Sequence, residues 1–265
     1  MKRIHIIPIL LLLLFTAASC RQANTQTTTF IQQSDPQQWT RDLPLPAPIN
    51  DRPEQILTRK AYVVSYNRDS RQPNWVAWRL TRDHTDGPVP RPATAWHDDK
   101  DVPQPRAYWQ DYRGTEWDRG HMCPAGDNKW DSVAMYESFL MTNACPQNKA
   151  LNSGTWNQIE MDCRKWARRY GEVVIVCGPL FLNQEHDSIG QHCIPVPEAF
   201  FKVVALLDPD NPKGIGYIVR NNEGRQKRDS YTNTIAEVER ITGLTFFPDL
   251  PEPMHTAIKE SIGTF

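Results

Sequence analysis

Short runs of β-branched and aromatic residues are separated by polar turns over much of the chain. "KAYVVSYN" and "NWVAWRLT" flank the polar loop "RDSRQP", which predicts two strands of a β-hairpin. Three further apolar runs, "EVVIVCGPLF", "FFKVVALLD" and "GIGYIVRN", predict buried or half-buried strands. Strands and helices mingle without regular strand–helix–strand alternation. The pattern therefore predicts an α+β domain with a mainly antiparallel sheet.

Helical periodicity is strongest over residues 152–170. Apolar residues recur there at spacings of three and four, namely Trp156, Ile159, Cys163, Trp166, Ala167 and Tyr170. Gly171 provides a stop for this amphipathic helix. "NKWDSVAMYESF" predicts a shorter helix, and "TNTIAEVERITG" predicts a last helix that ends at Gly243. "FLMTNACPQ" predicts a short strand ended by Pro146.

The first twenty residues have the composition of an export signal. Lys2 and Arg3 precede a short apolar run over residues 4–15, and the small residues "TAASC" follow. "AASC" is similar to a bacterial lipoprotein box, in which Cys20 would carry a lipid anchor. We therefore expect an exported bacterial protein held to a membrane through Cys20, a periplasmic, outer-membrane or cell-surface lipoprotein. Plain secretion is the alternative.

Residues 21–55 read as a tether and residues 56–265 as the folded domain. The tether begins with the polar stretch "RQANTQTTTFIQQSDPQQ" and continues with closely spaced prolines in "LPLPAPINDRP". Such a composition buries little apolar surface and favours an extended spacer. Within the domain, residues 83–107 are rich in proline and charge, which predicts a long surface loop.

Charge and cysteine content narrow the function classes. The net charge of the 265 residues is −1, so any binding of nucleic acid must rely on a local basic groove. The helix face with Arg164, Lys165, Arg168 and Arg169 is either such a groove or a solvated surface. Beside Cys20 the chain has five cysteines, whose pairing the sequence leaves open. Cys123 and Cys145 flank the segments described next, so a disulfide between them is one alternative.

Chemistry concentrates in "EWDRGHMCPAGD", which contains Asp118, Arg119, Gly120 and His121 in a row. Alone, these four residues are more typical of a surface turn than of an active site. Further along, Asn143 closes the predicted strand, and Asn152 and Glu160 lie on one stripe of the amphipathic helix. Their backbones would be roughly 12 Å apart, too far for both to be direct ligands of one ion.

The segments "DRGHMCPAGDNKW" and "TNACPQNKALNSGTWNQIE" together resemble the DNA/RNA non-specific endonucleases, a ββα-metal family that includes endonuclease G and secreted sugar-non-specific bacterial nucleases. The resemblance extends through "VCGPL", "IPVPEAFFKVV" and "AEVERITGLTFFPDL", over residues 56–250. It implies a ββα-metal nuclease fold with an antiparallel central sheet flanked by helices.

The resemblance also implies site residues. His121 matches the general base, and Asn152 matches the only direct protein ligand of a magnesium ion, for which manganese is the alternative. Arg119 matches a phosphate contact and Glu160 a residue that holds a water on the metal. Asn143 matches a second asparagine with a supporting role. A further phosphate-binding arginine lies upstream in the family, and the candidates here are Arg91 first, then Arg106 or Arg113.

The resemblance, together with the predicted export signal, implies an exported, magnesium-dependent endonuclease that cuts DNA and RNA without sequence preference and leaves 5′-phosphates. Neutral imidazole can accept a proton near neutral pH, and magnesium needs few protein ligands. Asp118 is expected to fix the turn, and Gly120 to let the backbone come close. Two alternatives stay open: a surface lipoprotein that captures nucleic acid without cutting it, and a phosphodiesterase of small nucleotide diesters.

Overall fold

The computed structural model describes residues 40–93, 95–222 and 227–265 of the chain. The strands in this part are β1 (Gln55–Thr58), β2 (Val63–Asn67), β3 (Gln72–Thr81), β4 (Trp117–His121), β5 (Ala144–Asn148), β6 (Glu172–Leu180), β7 (Ser188–Ile189), β8 (Ile194–Pro195), β9 (Ala199–Leu206), β10 (Lys213–Arg220) and β11 (Thr232–Asn233). Seven of them form an antiparallel sheet in the order β1-β2-β3-β6-β9-β10-β11. The pairs β4–β5 and β7–β8 form two small hairpin sheets.

The helices flank the sheet and also connect the small hairpins. The α-helices of the described ranges are α1 (Ser132–Ser138), α2 (Lys149–Leu151), α3 (Asn157–Tyr170), α4 (Ile235–Thr242) and α5 (Glu252–Lys259). A π-helical turn, Asn152–Trp156, joins α2 to α3. Single 3-10 turns occur at Arg82–Thr85, Trp109–Tyr112, Ala125–Asp127, Met141–Asn143 and Arg228–Tyr231.

Both faces of the sheet are buried. Alternate residues of each strand point to opposite sides, so one strand contributes to both core clusters. In β6, Val173 and Ile175 belong to one core cluster, whereas Val174 and Val176 belong to the other. The first cluster is closed by the π-helical turn and α3, through Trp156, Ile159 and Cys163. The second is closed by α4 and α5, through Ile235, Val238 and Ile258. Each fully buried side chain of this size contributes about 1.5–3 kcal/mol relative to exposure.

The structure confirms the predicted α+β class and the main elements. The first hairpin is β2–β3, and the three later apolar runs are β6, β9 and β10, paired as neighbours. The two shorter helices are α1 and α4, which ends at Gly243 in the left-handed conformation with φ 70°. Gly171, with φ 97°, ends α3 as expected.

Two local predictions are wrong. Pro146 does not end a strand but lies within β5, opposite Arg119 of β4. A proline is tolerated there because the hairpin sheet has only two strands, so one edge needs no ladder donor. The long helix is also not continuous from Asn152, because Gly154 leaves the helical conformation at φ −103° and ψ −107°. Regular α-helix begins only at Asn157.

The boundary predicted at residue 55 is corrected by the described part of the tether. Leu43 is buried in the second core cluster, and Leu45 and Ile49 pack against that cluster. The backbone N–H of Ala47 donates to the carbonyl of Thr245 at 2.8 Å. Prolines keep this segment extended, and its alternating apolar side chains give it a surface to bury. The folded domain therefore includes residues 40–55.

The cysteines of the described residues are free thiols. The disulfide between Cys123 and Cys145, one of the alternatives from sequence, is therefore not formed. Both side chains are fully buried, and the amide of Asn128 donates to Cys123 Sγ at 3.4 Å. Desolvation by burial raises the pKa of both thiols well above the usual range, so they stay protonated and unreactive.

The predicted export signal and Cys20 lie outside the described residues. Among the residues that are described, no helix is long and apolar enough to cross a membrane.

Candidate active site

The motif identified in the sequence forms β4, which pairs with β5 in an antiparallel hairpin. Gly120 lies opposite Cys145 in this pairing, and Asp118 lies opposite Gln147. A β-carbon at Gly120 would overlap Oε1 of Gln147 and come within 2.5 Å of its Cβ. The glycine is therefore required for the close approach of the two strands, as the sequence predicted.

Arg119 and His121 share one face of β4, because they are two residues apart in a strand. Trp96 contacts both: its ring centroid is 4.5 Å from that of His121, and Cζ of Arg119 is 6.0 Å from the Trp96 ring. Nε of Arg119 and Nε2 of His121 are both buried without a hydrogen-bond partner among the described residues. Two orphaned polar atoms on one face indicate a place for a polar ligand.

His121 is held in an apolar enclosure. Its side chain is 8% exposed, and the ring of Phe139 meets it edge-on at 4.9 Å between centroids. Desolvation, and secondly the charge of Arg91, lowers the pKa of His121 to about 3. The imidazole is consequently neutral at physiological pH and can accept a proton.

Asn143 fixes the backbone that follows the histidine. Its Oδ1 accepts a hydrogen bond from the N–H of Cys123 at 2.9 Å. Its Nδ2 donates to the carbonyls of Cys123 and Ser138, both at 2.8 Å. The side chain is fully buried. Asn143 therefore links the segment after β4 to the end of α1.

Asn152 is oriented by Asp118. The amide Nδ2 of Asn152 donates to Oδ2 of Asp118 at 3.0 Å. An ionised carboxylate only accepts hydrogen bonds, so this contact fixes which end of the amide carries the nitrogen. The carbonyl Oδ1 is then left as a neutral oxygen ligand, and Mg²⁺ accepts this donor type. The residues present thus fit the predicted metal, with Asn152 as the residue that would hold it.

Asp118 was expected from sequence only to shape a turn. Its hydrogen bond to Asn152 instead joins β4 to the π-helical turn. The backbone turn before Asn152 is set separately by Asn148, whose Oδ1 accepts from the N–H groups of Ala150 and Leu151 at 2.8 and 3.2 Å. Asp118 and Asn152 are 34 residues apart and lie in different elements, so no local sequence pattern predicts their hydrogen bond.

Of the three upstream arginines, Arg91 is the one whose charge acts on His121. Its Cζ is 5.3 Å from the centroid of Phe139, which also contacts His121. Arg106 instead donates to the carbonyl of Asp99 at 2.6 Å. Arg113 stacks on Trp109 at 4.1 Å. Arg91 is therefore the upstream arginine that the structure brings to the site.

Glu160 lies half-buried on the first turn of α3. Desolvation raises its pKa to about 7, and Asp127 adds to the increase. The cations Lys202, Arg164 and Arg91 act in the opposite direction. Because Arg91 influences both Glu160 and His121, the two groups belong to one electrostatic environment. The described contacts do not join Glu160 directly to Asn152.

The basic face of α3 is largely engaged in structural contacts. Arg164 Nη1 forms an ion pair with Oδ1 of buried Asp127 at 2.7 Å. Arg168 donates to the hydroxyl and the carbonyl of Thr85 at 2.9 and 3.2 Å. Arg164 and Arg168 therefore fasten α3 to neighbouring segments rather than forming a phosphate track.

Sequence reasoning missed three residues that shape this site. Trp96 lies in the proline-rich loop, Phe139 at the end of α1, and Lys202 in β9. The first two enclose His121, and Lys202 is a fully buried cation. Only Lys202 carried a signal in the sequence, since a lysine interrupts the apolar run "FFKVVALLD".

Comparisons with known proteins agree with this geometry. The family model described as DNA/RNA non-specific endonuclease matches residues 46–252. Mitochondrial nuclease EXOG of Xenopus laevis is 34% identical over 204 residues, which cover 71% of this chain and 57% of that protein. Nuclease C1 of Cunninghamella echinulata is 34% identical over 210 residues, covering 74% and 83%. Human mitochondrial endonuclease G is 30% identical over 209 residues, covering 74% and 70%.

A solved structure shows the same fold. It is the crystal structure of the EndoG/EndoGI complex, which describes how EndoG is inhibited. It matches this chain with a TM-score of 0.73 and 27% sequence identity. The match covers 79% of this chain and 92% of the other. The chain spans somewhat over half the length of the EXOG relatives. With the ββα-metal fold and the family match over most of its length, the chain belongs to the DNA/RNA non-specific endonuclease family.

Proposed function

We propose that this protein is a magnesium-dependent endonuclease that hydrolyses DNA and RNA with little sequence preference. The observation that carries the proposal is the neutral, buried imidazole of His121, whose Nε2 has no partner in the described structure. It lies on the same strand face as the unpartnered Nε of Arg119. Proteins of this family are metal-dependent nucleases. In such a reaction the imidazole of His121 can accept a proton and the guanidinium of Arg119 can contact phosphate.

In the proposed reaction, a water next to Nε2 of His121 gives its proton to the imidazole. The resulting hydroxide attacks phosphorus and the bond from phosphorus to the 3′ oxygen breaks. The 3′ oxygen takes up a proton from solvent and becomes a 3′-hydroxyl, and a 5′-phosphate is left on the other product. Arg119 and Arg91 contact phosphate oxygens and reduce the repulsion between the negative diester and the nucleophile. Asn143 holds the chain after His121 so that the imidazole keeps its position.

Asn152 would hold the divalent cation through Oδ1, with the amide oriented by Asp118. When bound, the cation supplies neutralisation of the phosphate charge and of the leaving oxygen. Magnesium is proposed because one neutral oxygen ligand suits an ion that retains most of its waters, and manganese is the alternative. Glu160 would accept a hydrogen bond from one of those waters.

Lack of sequence preference follows from the groups available. Arg119, Arg91 and the cation would all act on phosphate, which carries no sequence information. The phosphodiester group is the same in deoxyribose and ribose polymers, so DNA and RNA are both proposed as substrates. The names of the relatives, nuclease and endonuclease, agree with this activity.

The test is cleavage by the folded domain, residues 40–265, of closed circular DNA and of single-stranded RNA. Each substrate is incubated with magnesium and with a chelator. We expect internal cuts that depend on magnesium, and DNA fragments that a ligase joins without prior phosphorylation. Binding without cutting would favour the nucleic-acid-capturing lipoprotein. Cutting of small nucleotide diesters but not of the circular DNA would favour the phosphodiesterase.

We propose in addition that the protein is exported and anchored through a lipid on Cys20. This rests on the charged, apolar and small-residue segments that precede Cys20 in the sequence. In a bacterial host, full-length protein should partition into the membrane fraction and incorporate labelled fatty acid. Cys20→Ala should release it into the soluble fraction without label, and label retained by that variant would refute the anchor.

A further inference from the structure

Lys202 is a cation in the middle of the protein. It lies at the centre of β9, between Cys177 of β6 and Tyr217 of β10. Its side chain is fully buried, and Nζ has no hydrogen-bond partner among the described residues. The nearest aromatic ring is Trp156, with Nζ 4.2 Å from its centroid, and Trp78 lies at 5.5 Å. An ammonium in such a place destabilises the fold unless nearby groups compensate for the lost water.

The compensation is electrostatic. Desolvation acts to lower the pKa of Lys202, but Cys177, Glu160, Cys163 and Asp127 together raise it above the ordinary value. Lys202 therefore keeps its charge. The thiols contribute little negative charge, because burial raises the pKa of Cys177 to about 12 and that of Cys163 to about 12. The two carboxyl groups remain as the acidic partners.

Asp127 has other partners. Its Oδ1 is paired with Arg164 at 2.7 Å, and its Oδ2 accepts a hydrogen bond from Trp78 Nε1 at 3.1 Å. Glu160 has no ion pair of this kind within the described structure. Of the groups that lower the pKa of Glu160, Lys202 has the largest effect, ahead of Arg164 and Arg91. Lys202 and Glu160 share no ion pair or hydrogen bond within the described structure, so Lys202 acts on Glu160 through its charge alone.

Trp156 connects this pair to the active site. It precedes Glu160 by one helical turn, and its indole lies under the ammonium of Lys202. The same indole Nε1 donates to the backbone carbonyl of His121 at 3.4 Å. We propose that Lys202 of β9 is a positioning residue: a buried counter-charge that acts on Glu160 of α3. The proposal rests on the nuclease function proposed above, in which Glu160 serves as a carboxylate.

The kinetic test compares Lys202→Met with wild type under saturating magnesium. Methionine fills a similar volume without charge, so a purely structural lysine would leave activity unchanged and stability equal or higher. We expect kcat to fall about 10- to 100-fold, as for other residues that orient active-site groups without touching the substrate, with KM unchanged. In a Glu160→Gln background, adding Lys202→Met should change kcat less than about twofold, because the partner charge is gone. An equal loss in both backgrounds, or none in either, would overturn the proposal.

A spectroscopic test does not depend on cleavage. Carbon-13 NMR follows the Glu160 carboxyl through a pH titration of the metal-free protein, with Asp127, Arg164, Arg91 and both thiols left intact. Lys202→Met should raise the midpoint by about one pH unit, since an attractive charge has been removed. An unchanged midpoint would refute the pairing. If the methionine variant fails to fold, Lys202→Gln takes its place. If wild type does not cleave nucleic acid, the proposed function fails, while this titration still decides the role of Lys202.

Discussion

His121 illustrates how much a residue's surroundings decide its chemistry. In water its side chain would be half-protonated near pH 6.5. In this structure Trp96 and Phe139 exclude water from the ring, and Arg91 disfavours a second positive charge nearby. The side chain is therefore present as a neutral acceptor whose Nε2 is available to a ligand. The same burial has a consequence for stability.

Because the pKa of His121 is lowered to about 3 in the folded protein, the unfolded state binds an extra proton as the pH falls below about 6.5. The unfolding free energy should fall on acidification, and His121→Asn should abolish about 1 kcal/mol of the loss between pH 7.5 and 5.5. Urea unfolding at the two pH values measures this. His84, whose burial lowers its pKa to about 4, contributes equally to both proteins and cancels. An identical pH dependence in the variant would show that His121 is not desolvated.

The hydrogen bond between Asp118 and Asn152 gives a second prediction at this scale. Asp118→Asn offers the amide either an acceptor or a donor, so Asn152 is no longer held in one orientation. The magnesium concentration that gives half-maximal cleavage should rise about 10- to 100-fold, with little change in the rate at saturation. Asp210→Asn, at an exposed loop far along the chain, is the matched control. Equal magnesium dependence in both variants would remove Asp118 from the site.

At the scale of elements, the β4–β5 hairpin determines where His121 stands. Gly120→Ala would force a methyl group into the side chain of Gln147 and push the strands apart. We expect a loss of about 1–3 kcal/mol in unfolding free energy, measured with urea, and a larger proportional loss of cleavage. In a Gln147→Gly background, where this side chain is absent, Gly120→Ala should lower the unfolding free energy by less than it does in wild type. Full stability in Gly120→Ala alone would mean that the hairpin absorbs the methyl group without strain.

Elements with strong local patterns could be predicted from sequence, and contacts between distant residues could not. The alternation in β6 and the three- and four-residue spacing in α3 indicate their own structure. The DRGH segment and Asn152 identified the family through resemblance. By contrast, the interruption at Gly154 depends on how α2 and α3 meet, which the apolar spacing does not encode. The enclosure of His121 by Trp96 likewise depends on tertiary packing of a loop without regular structure.

At the scale of the whole molecule, the proposed function requires a nearly neutral chain to bind a polyanion through a few local charges. The net charge is −1, and two arginines of α3, Arg164 and Arg168, are committed to structural contacts. The sequence identified the basic residues but not their partners, because ion pairs such as Arg164 with Asp127 join segments far apart in the chain. In the proposed function, Arg119 and Arg91 are the cations that contact phosphate.

Cleavage of duplex DNA under subsaturating conditions should therefore decrease as salt is added, because binding releases counterions. Arg119→Ala and Arg91→Ala should each reduce the slope of log(kcat/KM) against log salt by about 0.9, one phosphate contact each. Arg240→Ala is the control, since this exposed residue pairs with Glu237 on α4, at the opposite face of the sheet. A slope that the control alters as much as Arg119→Ala would point to general charge rather than a phosphate site.

The measurement to make first is single-turnover cleavage by wild type and His121→Ala, with saturating magnesium and matched folding by circular dichroism. Loss of a general base should lower the rate about 10²- to 10⁴-fold, while binding of DNA in the presence of a chelator stays unchanged. Added imidazole should restore part of the rate, because the variant leaves a space beside Trp96 and Phe139. If His121→Ala cleaves as fast as wild type, the base lies elsewhere and the proposed active site is wrong.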